Sequence, residues 1–168
     1  MKNTKTLSRT AVLTALALAL SAAESLIPLR GVIPIPGLKL GLANLVTTFA
    51  LCRLNPGEAL LILICRCFLG SLMGGRLTSL AFSLTGGLFA FLAMFVFIRC
   101  PGVSLFGVSV AGAAAHNFGQ IIAACVVLSS TAPITYLPAL LICSVVTGAV
   151  TGGVSMLLVR RIPVSLLQ

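Results

Sequence analysis

Long apolar runs alternate with short groups of proline, glycine and charged residues along the whole chain. A helix that crosses a bilayer needs about 20 mostly apolar residues, and most of these runs approach that length. The breaks between them contain prolines and glycines, which commonly end helices. The pattern predicts six transmembrane helices in a single domain over residues 1–168, at approximately 10–27, 40–51, 58–73, 79–98, 107–128 and 137–159.

The first run also resembles a secretory signal peptide, because basic residues precede it and small residues at 21–23 are compatible with cleavage. We favour a retained helix, since removing it would leave an odd number of spans and an inconsistent charge bias. Six spans place both termini on the same side of the membrane.

Composition supports a membrane location. The chain has 168 residues, of which 59% are hydrophobic and only 8% are charged. A soluble domain carries roughly 25% charged residues, so this chain is predicted to be an all-α integral membrane protein. The net charge of +9 would suggest nucleic acid in a soluble protein. Here the cations flank apolar runs, so membrane orientation explains them and no nucleic-acid partner is expected.

The cations are distributed unevenly between the two predicted sides. If the termini are cytoplasmic, the inner set is Lys2, Lys5, Arg9, Arg53, Arg99, Arg160 and Arg161. The outer set is Arg30, Lys39 and Arg76, which agrees with the excess of cytoplasmic cations in membrane proteins. The three outer cations oppose this trend, so they need a local reason.

The segment 34–44 groups prolines, glycines, a cation and an amide between two apolar runs. Its two prolines hold the chain extended, and its two glycines permit a turn or a close approach. Lys39 and Asn44 bring a charge and a donor–acceptor group to the start of the next helix. We interpret the segment as a shaped loop that helps to form a binding site.

Arg66 lies inside the third predicted helix, where a central charge costs about 2.5–3.5 kcal/mol on insertion scales. Gly70 and Gly74 follow on the same face and leave room beside it. Glu58 is about two turns away, too far to neutralise the charge comfortably. A bound anion would do so, while snorkelling or capping of another helix's carbonyl groups remains the structural alternative.

A second polar group lies in the fifth predicted helix, where His116, Asn117 and Gln120 fall within about one turn. They form either a ligand-facing patch or bonds to neighbouring helices. A lone histidine without other ligands at suitable spacing makes a poor metal site. The GxxxG step at Gly148 and Gly152 predicts a tight helix crossing.

The first helix carries small residues at four-residue intervals, which form a nearly straight ridge. Such ridges permit close backbone approach between helices in lipid. Either packing within the protein's own bundle or docking of a membrane partner would use this ridge, whose members are Ala11, Ala15, Ala19 and Ala23.

Several catalytic motifs are missing from the sequence. It contains no P-loop motif, no aspartate and only two glutamates, Glu24 and Glu58. Paired carboxylates for acid–base or Mg²⁺ chemistry are therefore missing as well. We expect no catalytic residues, no metal site and no cofactor, and we do not expect an enzyme.

The motifs at 36–44 and 115–120 together resemble the Gx transporter family, which is also labelled heptaprenyl diphosphate synthase component I. The resemblance covers nearly the whole chain and extends to the substrate-binding S components of energy-coupling factor (ECF) transporters. It implies a six-helix S component in the prokaryotic inner or plasma membrane that captures a nutrient from outside. It also implies a membrane coupling subunit and cytoplasmic ATPases as partners, with the alanine ridge meeting the coupling subunit.

The resulting hypothesis is an S-component-like uptake subunit for a small, anionic nutrient or cofactor or isoprenoid precursor. The residues expected to face the ligand are Lys39, Asn44, Arg66, Arg76, His116, Asn117 and Gln120. The alternative is a non-catalytic membrane accessory subunit linked to prenyl diphosphate synthesis. A small channel is less consistent with the sequence, because no span carries a continuous polar stripe.

Overall fold

The computed structural model describes residues 2–26, 41–74 and 77–162, which form an all-helical bundle with no strand in these ranges. The predicted all-α class is confirmed. The elements are α1 (Lys2–Ser25), α2 (Asn44–Arg53), α3 (Pro56–Gly74), α4 (Leu77–Phe97), α5 (Leu105–Leu128), a 3₁₀ helix (Ala132–Tyr136) and α6 (Leu137–Arg161).

Five helical stretches in the described ranges are long and apolar enough to cross a membrane, as expected of an integral membrane protein. Helix α1 begins earlier than predicted, because no proline or glycine interrupts its basic first turns. The five stretches are Thr4–Glu24, Pro56–Gly74, Leu77–Phe97, Leu105–Leu128 and Ala132–Arg161.

Helix α2 differs from the predicted second span. Its 10 residues extend about 15 Å, roughly half of a 30 Å hydrocarbon core. The described part of the chain therefore contains five full-length candidate spans and one half-length helix. Residues 44–50 of α2 are all buried, and α2 contacts each of the other five α-helices. It is the central element of the bundle.

Helix boundaries follow local chemistry. Helix α3 begins at Pro56, where the missing N–H group costs nothing, and Glu58 lies in its first turn near the positive end of the helix dipole. The Ser104 side chain caps α5 by accepting a 3.2 Å hydrogen bond from the Gly107 N–H. Gly102, with φ +84°, makes the turn between α4 and α5.

Helices α5 and α6 cross closely at the predicted GxxxG step. A Cβ atom added to Gly148 would lie 2.5 Å from the Val110 Cα, and one added to Gly152 would lie 3.0 Å from the Phe106 Cα. A side chain at Gly148 would force the α5 backbone to shift, and one at Gly152 would be tightly confined, so the prediction of a tight crossing is confirmed.

Two contacts bring the ends of several helices together. Arg9 in α1 forms a salt bridge with Glu58 in α3, with 2.6 Å between Nη2 and Oε1. Arg53 at the end of α2 donates to the Val159 carbonyl in α6. Because a short turn joins Arg53 to α3, the early part of α1 and the end of α6 lie at one end of the bundle. Its cytoplasmic location stays a prediction.

Candidate functional site

Two of the predicted site residues meet at the start of α2. The Arg66 Nη2 donates a 3.1 Å hydrogen bond to the Asn44 Oδ1. Arg66 lies near the middle of α3 with 6% of its surface exposed, and Asn44 is the first residue of α2. Because α2 is half-length, its first residue lies inside the bundle and can reach this buried guanidinium.

The turn before α2 is held by a residue that the sequence did not single out. The Glu24 carboxylate accepts hydrogen bonds from the N–H groups of Gly41, at 2.5 Å, and Leu42, at 3.2 Å. Gly41 has φ +86°, a conformation that residues with a side chain rarely adopt. A Cβ atom on Gly41 would also lie 2.8 Å from the Asn44 Nδ2. Glu24 and Asn44 therefore contact the same turn.

His116 and Gln120 extend the polar cluster toward α4. An added Cβ on Gly41 would lie 3.0 Å from the His116 Cδ2, and one on Gly86 would lie 2.9 Å from the His116 Cε1. The imidazole is therefore packed between these two glycines. The Gly86 position is also 2.9 Å from the Gln120 Cγ. Both polar side chains are buried.

The neighbouring glycine on α4 links the two parts of the cluster. A Cβ added to Gly87 would lie 3.5 Å from the Arg66 Nη2. The pair Gly86–Gly87 therefore faces His116 with one residue and Arg66 with the other. We call Glu24, Asn44, Arg66, His116 and Gln120 the polar cluster.

Asn117 is directed elsewhere. Its Nδ2 donates a 2.9 Å hydrogen bond to the Leu140 carbonyl in the first turn of α6. This bond ties α5 to α6, which was the structural alternative for the patch in α5. A ligand contact for Asn117 stays a prediction.

Two neighbouring side chains of the polar cluster each have a buried donor atom without a hydrogen-bond partner among the described residues. These atoms are the Arg66 Nε and the Asn44 Nδ2. Within the same ranges Arg66 forms no ion pair: Glu58 pairs with Arg9, and the Glu24 carboxylate accepts from the N–H groups of Gly41 and Leu42. The cluster can therefore still accept a group that brings hydrogen-bond acceptors. No set of three His, Cys, Asp or Glu side chains in these ranges is placed to hold a metal ion.

Three other predicted positions, Arg30, Lys39 and Arg76, lie outside the described residues. The members of the alanine ridge are all exposed and face away from the bundle: Ala11, Ala15, Ala19 and Ala23. The buried face of α1 is instead formed by residues such as Leu13 and Ala17. The ridge does not pack within the described part of the protein.

Glu24 and the glycine pair of α4 belong to the candidate site but are not among the residues selected from the sequence. Glu24 is 2% exposed, although it carries one of only two acidic side chains in the chain. An acid at the end of an apolar helix in so acid-poor a sequence was the available signal. The glycines stand out less, because the residues that they face on other helices are not visible in the sequence.

The fold and the cluster together define a helical membrane protein with a polar cluster buried inside its bundle. The family model of heptaprenyl diphosphate synthase component I matches residues 13–158, and the chain belongs to this family. The predicted family is thereby confirmed. Comparison with curated proteins gave no match, and comparison with solved structures gave none either. The likeness to ECF S components stays a prediction.

Proposed function

We propose that the protein is the substrate-binding membrane subunit of an ECF-type uptake transporter. Its ligand is a small, anionic nutrient or a cofactor or isoprenoid precursor. The observation that carries the proposal is the buried Arg66, whose Nε lies in the polar cluster without a partner among the described residues. In this proposal the protein resides in the prokaryotic cell membrane with both termini in the cytoplasm.

Energetics favour an anion at this site. A buried charge without a counter-charge is strongly destabilising, whereas a well-placed partner compensates for the lost hydration. The Asn44 Nδ2 supplies a second open donor on the side chain that Arg66 already contacts. An anion with two acceptor oxygens would satisfy both donors, and charge-assisted hydrogen bonds of this kind are the strong ones.

The half-length α2 also supports a ligand site in the bundle interior. Many membrane transporters bind substrate at helices that end within the bilayer, with the positive end of the helix directed at anionic groups. Helix α2 begins inside the bundle beside Arg66. The open donors of Arg66 and Asn44 therefore lie at a helix start within the bundle, which is where such transporters bind substrate.

The exposed alanine ridge is proposed to dock a membrane coupling subunit, which in turn binds cytoplasmic ATPases. The sequence has no P-loop, so transport driven by ATP would need a partner that hydrolyses ATP. A ridge of small residues on an outward face permits close approach of another helix. We further propose that the protein itself is not an enzyme, because its sequence lacks aspartate and has only two glutamates.

Mass spectrometry of the protein purified in mild detergent tests the proposal. We expect a small anion at near-stoichiometric amounts, together with ATPases recognisable by their P-loop sequences. The proposal is overturned if no ligand is found and no thermal shift occurs across vitamins, flavins, isoprenoid phosphates and quinone precursors.

A second function is favoured by the name of the family. In this alternative the protein is a non-catalytic membrane accessory subunit linked to prenyl (heptaprenyl) diphosphate synthesis. It predicts that a soluble prenyltransferase co-purifies and that ATPases do not. The same purification therefore separates the two candidates.

A further inference from the structure

The turn that starts α2 already holds an anion from the protein itself. Both oxygens of the Glu24 carboxylate accept backbone N–H groups, from Gly41 and Leu42. Exposed N–H groups at a helix start are a common binding position for phosphate, because they combine donors with the positive end of the helix dipole. At α2 the Glu24 carboxylate fills this position.

We infer that Glu24 makes the site selective for a ligand with a single, carboxylate-type charge and against phosphate and diphosphate groups. The inference rests on the proposed function, because it concerns which anion the same site accepts. It narrows the ligand class and assigns a specificity-determining role to a residue that none of the comparisons identifies.

Two neighbouring open donors match a carboxylate. The Arg66 Nε and the Asn44 Nδ2 are buried without a hydrogen-bond partner among the described residues, and they lie on two side chains that contact each other. Two donors suit the two oxygens of one carboxylate. A diphosphate has more acceptor oxygens than these two donors can satisfy, and the N–H groups that would serve it are bound to Glu24.

Charge repulsion acts in the same direction. Gly41 lies between Glu24 and the open donor on Asn44. Its N–H group is bonded to the Glu24 carboxylate, and a Cβ atom added to it would lie 2.8 Å from the Asn44 Nδ2. Repulsion between an incoming anion and Glu24 grows with the anion's charge. Arg66 attracts either ligand, but the repulsion from Glu24 is larger for a diphosphate than for a singly charged carboxylate.

The first test compares two probes with the same ten-carbon isoprenoid chain, geranate and geranyl diphosphate, and uses geraniol as the neutral control. Binding to the wild-type protein in lipid nanodiscs is measured by isothermal titration calorimetry. We expect geranate to bind at least about tenfold more tightly than geranyl diphosphate, from the repulsion by Glu24. Geraniol is expected to bind more weakly than geranate.

The second test uses Glu24→Gln, with Glu58→Gln as the matched control. Each variant removes one of the two acidic charges of the chain, but Glu58 is paired with Arg9 at the end of the bundle. We expect Glu24→Gln to reduce the preference for geranate by about tenfold, because the repulsive charge is gone. Glu58→Gln is expected to keep the wild-type preference. Thermal unfolding of each variant verifies that it is folded.

The outcomes separate the inference from the proposed function. If geranyl diphosphate binds the wild-type protein as tightly as geranate, the selectivity is refuted while the anion site stands. If the two variants show the same preference, Glu24 is not its cause. If neither anion binds better than geraniol, both the anion site and the proposed selectivity are refuted. The wild-type comparison remains decisive even if Glu24→Gln does not fold.

Discussion

The Arg66 Nη2 donates a hydrogen bond of 3.1 Å to the Asn44 Oδ1, which joins the middle of α3 to the first residue of α2. The bond orients both side chains, so that the open donors Arg66 Nε and Asn44 Nδ2 lie on two side chains in direct contact. It also orients a guanidinium that has no acidic partner within the described ranges.

The Arg66→Met variant tests whether this guanidinium binds an anion. We expect it to bind the co-purified ligand about 10- to 100-fold more weakly, because hydrogen bonds to charged groups contribute roughly 1.5–3 kcal/mol. The Arg66→Lys variant retains the charge without the planar donor group, so its affinity should be intermediate. Affinity is measured by calorimetry. Unchanged affinity together with lower thermal stability would assign Arg66 a purely structural role.

The double variant Ala15→Leu/Ala19→Leu tests the alanine ridge. Both residues are exposed, so the bundle should fold normally, whereas the larger side chains prevent close approach of a partner helix. We expect loss of the ATPases from the purified complex with ligand binding intact. The control is Ala139→Leu, at an exposed alanine of α6. Retention of the ATPases in the double variant would contradict the docking proposal.

Two glycines in α6 provide a matched test of the helix crossing. A Cβ on Gly148 meets the α5 backbone, while one on Gly153 meets nothing within 4 Å. Gly148→Ala should lower the free energy of unfolding by about 1–3 kcal/mol, because the two helices must separate. Gly153→Ala should be neutral or stabilising, as alanine favours helix. Unfolding in denaturing detergent measures both, and equal stabilities would argue against the observed crossing.

The orientation of the bundle is tested with reporter fusions after Arg53, Arg99 and Gln168. Each fusion is expected to report a cytoplasmic location, because the predicted inner set of cations surrounds these positions. The half-length α2 makes the fusion after Arg53 informative, since α2 by itself is too short to cross. An external location after Arg99 would refute six crossings with cytoplasmic termini.

The sequence predicted part of the candidate site. Asn44 was selected as the end of the shaped loop and Arg66 because a charge inside an apolar run is costly, and the structure brings them into contact. The need of membrane-buried polar groups for partners also selected Asn117, whose amide bonds to α6. These arguments missed Glu24, because its partners, Gly41 and Leu42, lie 17 and 18 positions further along the chain. The cost of burying a polar group identifies a residue that needs a hydrogen-bond partner, but it does not identify that partner.

The sequence by itself determined the helical membrane class, the order of the helices and the grouping of cations at their ends. These properties depend on the length and composition of each apolar run, which do not depend on how the helices pack. Only the tertiary structure decided that α2 is central and half-length, that Glu24 holds its first turn, and that the alanine ridge faces outward. These features depend on contacts between distant segments, because packing selects which face of each helix is buried.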